Sequence, residues 1–118
     1  MILRNAFKLG YVKKGYKVTI CMSSTDAPFC GILHYKLNQW TIPNVGCGPC
    51  AVFANYKDAL NIVRHYDRCL TQLWKCYFIE SKEEFLWTQN GISRYILRCY
   101  DGTVLANAVM LIREIKLW

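Results

Sequence analysis

The sequence predicts an α+β domain, an antiparallel sheet of about five to six strands with one main helix packed on a face. Three observations carry this. Several short segments alternate apolar and polar residues, one segment repeats its apolar residues at helical spacing, and the connections between them are short and rich in turn residues. The chain has 118 residues. That suits one domain, long enough to bury a core without staples.

The elements follow in order. "GYKVTICM" (15–22) sets Val18, Ile20 and Met22 against Lys17, Thr19 and Cys21, which reads as a half-buried strand. "SSTDAP" (23–28) is a turn, and "CGILHYKL" (30–37) a second strand. "GCGPC" (46–50) reads as a turn that bends the chain from the Trp40 segment into the short apolar strand "AVFA" (51–54). Asn55 is the expected N-cap and Asp58 favours the first turn of a helix over about 56–67, in which Ala59, Ile62, Val63 and Tyr66 share a face. "QLWKCYFIE" (72–80) is the clearest strand. Ser81 and Glu84 have capping-box form, so a short helix is expected through about Trp87. "ISRYILRCY" (92–100) alternates again, and Asp101-Gly102 signals a hairpin. The tail fits a helix at Leu105, Ala108, Val109 and Ile112, and a strand from Met110 onward. The strand is favoured.

Composition bounds the function. Hydrophobic residues make up 53% of the chain, so it is globular rather than disordered. The opening "MILRNAFKLG" lacks a signal peptide's apolar region, and the longest apolar run, "AVMLI", is too short to span a bilayer. A soluble cytoplasmic protein is expected, in the host cytoplasm if it is viral, with no membrane contact. Seven cysteines are then mostly reduced thiols.

The net charge of +7 is uneven: Arg4, Lys8, Lys13, Lys14 and Lys17 precede the first acid, Asp26. Neutralising phosphates releases counterions, so this segment is the candidate nucleic-acid or partner surface. It comprises Lys13, Lys14 and Lys17 with Tyr11 and Tyr16, joined by Arg94 and Arg98. The competing reading is a solvated edge strand whose lysines deter aggregation.

"CGPC" invites two alternatives. A redox dithiol at Cys47 and Cys50 needs a stabilised thiolate, usually above a helix N-terminus. Here four apolar residues intervene, Gly46 stands where thioredoxins carry tryptophan, and no proline follows the motif. A structural zinc site could use Cys47, Cys50, His65 and Cys69, spaced C-x2-C-x14-H-x3-C. No phosphate loop, GxGxxG, HExxH or GxSxG occurs, and no catalytic residue or cofactor is assigned.

Read whole, the chain resembles a family of small phage and prokaryotic proteins. The residues carrying this are "GYKV" (15–18), "WTIPNVGCGP" (40–49), "AVF" (51–53), "DAL" (58–60), "LWKC" (73–76), "SKEEFLW" (81–87) and "DGTVLA" (101–106). The resemblance implies a glycine-proline element leading into a short strand and a helix. It carries no activity. The expectation is a small accessory protein, viral or phage-related, that acts by binding nucleic acid or protein rather than by catalysis. Homo-oligomerisation is left open.

Overall fold

The computed structural model describes residues 12–20, 23–24, 34–43, 47–65, 71–83, 85–88, 93–95 and 101–117. In chain order the elements are β1 (Val12–Ile20), β2 (Ser23–Ser24), β3 (Trp40–Thr41), β4 (Cys47–Gly48), β5 (Cys50–Phe53), α1 (Tyr56–His65), β6 (Thr71–Glu80), β7 (Phe85–Thr88), β8 (Ser93–Tyr95) and β9 (Thr103–Ile115). The architecture is α+β, with an antiparallel sheet and one helix among the described residues.

Four strands close a ring. β1 pairs with β6 from Val12–Ile79 to Ile20–Thr71. β6 pairs with β9, and β9 with β5. β5 returns to β1 through Tyr16–Phe53. The short β2 and β3 extend this sheet from β1 and β9. A separate sheet has the order β4-β7-β8.

Cross-strand partners share a face of a sheet. Gly15–Cys76, Lys17–Trp74 and Thr19–Gln72 therefore point one way, and Lys14–Tyr77, Tyr16–Lys75 and Val18–Leu73 the other. The first face is the inner one. Trp74, Cys76 and Phe78 cluster there with Cys50, Val52, Ala106, Val109, Leu111 and Tyr35. On the outer face, Val18, Phe53 and Leu73 form a second buried cluster with Ala59, Ile62 and Val63 of α1. Full burial of each such aliphatic side chain contributes about 1.5–3 kcal/mol.

Asn55 is the N-cap of α1, as expected. Its Oδ1 accepts the Asp58 N–H at 3.0 Å, and its Nδ2 donates to the Asp58 carboxylate at 2.8 Å. Such a cap contributes about 1 kcal/mol. Gly102 has φ +78°, and a Cβ there would collide with the Asp58 side chain. The Asp101-Gly102 turn thus abuts the helix start. Whether it joins a hairpin lies outside the described residues.

Several expectations are corrected. Of the strand expected over 30–37, residues 30–33 lie outside the described residues, and among 34–37 only His34 forms a bridge. A turn follows, because Asn38 adopts φ 60° and donates its N–H to the Leu111 carbonyl at 2.8 Å. No helix follows Ser81. Its Oγ accepts the Glu83 N–H at 3.0 Å, and Phe85–Thr88 pairs as a strand with β4 and β8. Aromatic and β-branched residues favour that outcome. The tail is a strand, as favoured, but it starts earlier, at Thr103, because pairing on both edges overrides the helical preference of its alanines. The expected turn at "GCGPC" is instead a crossing. Cys47–Gly48 pairs in one sheet, Pro49 is buried, and Cys50 opens a strand of the other.

Candidate nucleic-acid interface

The outer face changes character along β1 and β6. Near Val18 and Leu73 it is buried. Two residues further it carries an alternating square, with Lys14 opposite Tyr77 and Tyr16 opposite Lys75. On the next strand, Arg113 faces Lys75 and Met110 faces Tyr77. The register shifts between Lys75 and Cys76, so Ile112 has no direct partner on β6. Such a bulge re-aims its extra side chain. Ile112 lines a cavity of about 330 Å³ together with Lys14, Tyr16, Ala54, Lys75 and Tyr77. Tyr56, at the start of α1, meets Tyr16 edge-on with ring centroids 5.8 Å apart.

Among the described residues the cations of this face are not ion-paired. Lys14, Lys75 and Arg113 are exposed, and none forms an ion pair among the described residues. Lys13 differs, since it pairs with Glu80. Lys116 likewise pairs with Glu114. Exposed pairs of this kind contribute at most about 1 kcal/mol, but each cancels the lysine's net charge toward a polyanion.

The residues singled out from sequence are thus divided. Lys14 and Tyr16 line the cavity, and Lys13 sits exposed at its ion pair. Lys17 does not join them. It is 2% exposed on the inner face, donates from Nζ to the Ala51 carbonyl at 2.7 Å, and lies 5.6 Å from the Tyr35 ring centroid. The alternation within "GYKVTICM" suggested an exposed polar face, but the closed ring buries both sides at this point. Arg94 lies on β8, in the other sheet. Tyr11 and Arg98 lie outside the described residues. Sequence reasoning missed Lys75, Tyr77 and Arg113. The alternation of "QLWKCYFIE" does put Lys75 and Tyr77 on one face, but only the β1–β6 register puts them beside Lys14 and Tyr16.

The cysteine readings meet a different geometry. Cys50 is 1% exposed and faces the inner cluster, and α1 begins only at Tyr56. Its thiol is therefore neither open to a substrate nor seated on a helix N-terminus. Cys47 belongs to β4 in the second sheet, and His65 ends α1. Cys69 lies outside the described residues. No group of three or more His, Cys, Asp or Glu side chains suited to a metal occurs among the described residues.

Cys76 shares the inner face. Burial pushes its thiol up from the ordinary 9.0 to about 12, while the Lys17 ammonium acts in the opposite direction. The unfolded chain releases this proton from about pH 9 and the folded chain retains it. Cys76 therefore contributes stability that is complete below pH 9 and is lost between pH 9 and about 12. Above pH 9 the wild type is expected to lose up to about 1.4 kcal/mol per pH unit more than Cys76→Ala. Denaturant midpoints across that range check this, and parallel curves for the two proteins would contradict it.

No protein-family model, curated protein or solved structure matches the chain. No helix among the described residues is long and apolar enough to cross a membrane.

Proposed function

We propose that the protein acts by binding rather than by catalysis, and that its ligand is a nucleic acid held on the outer face of β1, β6 and β9. The observation that carries this is the square of Lys14, Tyr16, Lys75 and Tyr77, extended by Arg113. Cations set on three neighbouring strands meet phosphates that cross the sheet, and interleaved aromatic rings offer surfaces to bases. In this reading Tyr56, at the start of α1, stands against Tyr16 and supports that ring. The role suits a cytoplasmic accessory protein of the phage-related kind that the sequence pattern resembles.

The test is fluorescence anisotropy with a labelled single strand of about 15 nucleotides, within the range of single-strand site sizes. Affinity should fall with salt at a log–log slope of about 0.7 per phosphate neutralised, hence roughly 2 for Lys14, Lys75 and Arg113 together. Lys14→Gln with Lys75→Gln should flatten that slope by about 1.4. Affinity that stays flat between about 50 and 200 mM salt overturns the proposal and leaves a protein partner.

A further inference from the structure

The face just described contains a cavity as well as charges. We infer that this cavity receives one unpaired nucleobase, so that the ligand is single-stranded, an inference that rests on the nucleic-acid reading of the same face. The argument is first one of size. At about 330 Å³ the cavity stands at the lower end of small-ligand sites, which run from roughly 300 to 1,000 Å³. It has room for a group the size of a base and none for a duplex. Bases in a duplex are stacked inward, whereas an unpaired base can be turned out and laid against a ring.

The lining suits that occupant. Tyr16 and Tyr77 are diagonal to one another across β1 and β6, and both line the cavity. Ile112, re-aimed by the bulge, supplies an apolar wall, and Ala54 adds a small apolar side chain to the lining. Lys14 and Lys75 occupy the other diagonal, where the phosphates flanking a turned-in base would lie. A purely electrostatic surface needs neither the rings nor the bulge.

The test compares three probes of equal length on the full chain: an oligo-dT single strand, the same strand with abasic deoxyribose phosphates, and a duplex. The oligo-dT should bind at least tenfold more tightly than either of the others. Tyr77→Leu should weaken oligo-dT binding about five- to a hundredfold, the loss expected for one stacked base, and leave the abasic strand unaffected. Tyr77→Phe should retain the wild-type preference. If Tyr77→Leu does not fold, the wild-type comparison of oligo-dT with the abasic strand decides alone. Equal, salt-sensitive binding of all three probes overturns the base cavity and leaves the binding face standing. No binding of any probe overturns both.

Discussion

Gly15→Ala is expected to destabilise the protein by about 2–3 kcal/mol, near the top of the range for over-packed sites, with a melting temperature lower by roughly 10 °C. A Cβ at Gly15 would stand 2.7 Å from the Phe53 carbonyl oxygen and 2.7 Å from Cε1 of Phe78. Neither neighbour yields easily. Phe78 is 2% exposed within the inner cluster. The Phe53 carbonyl belongs to the strand whose pairing with Tyr16 closes the ring. Phe78→Leu in the same chain should relieve only the contact with the ring, so the double variant should recover part of the loss it would show if the two effects were additive. Urea midpoints of the four proteins measure this coupling. A Gly15→Ala protein as stable as wild type would mean that β1 and β5 do not approach this closely.

The second large effect is expected at Lys17. Lys17→Ala should cost about 3 kcal/mol. Truncating a long buried side chain costs about 2–5 kcal/mol, and the Ala51 carbonyl loses a donor worth about 1–3 kcal/mol. Against these stands the relief of no longer burying an ammonium. Lys17→Met separates the contributions, because it keeps the stem and removes the charge. It should cost about 1 kcal/mol or less if packing dominates. A Met variant as unstable as the Ala variant would put the weight on the ammonium and its bond to Ala51. In either case, losing the charge should raise the Cys76 thiol further, since Lys17 is the group that opposes the effect of burial. The alkaline loss of stability would then extend to higher pH.

Parts of this fold were legible because local chemistry decides them. Asn55 caps α1 because its side chain reaches the Asp58 N–H three residues on, whatever surrounds it. The strand predicted over 72–80 is observed as Thr71–Glu80, since a run so dense in aromatic and β-branched residues packs well only on a pleated surface. Where local signals competed, they misled. Ser81 offers a cap to a helix or to a tight turn with equal chemistry, and the pairing of β7 with β4 and β8 selected the turn.

The candidate site lies beyond what one stretch of sequence can express. Lys14 and Tyr16 are visible as a basic, aromatic pair, and Lys75 and Tyr77 as another some 60 positions away. Nothing local joins the pairs. They meet because β1 and β6 pair in one register, and a slip of a single residue would turn every side chain of a strand to the opposite face. The same fact explains Lys17. Its charge is evident in the sequence, but its burial is not, because it depends on β5 and β9 closing the ring across from it. Residue chemistry was thus enough to set the cap of α1, the strand β6 and the excess of positive charge. Which lysines face solvent, which one is enclosed, and which tyrosines stand beside them follow from long-range strand pairing, whose register no local propensity encodes.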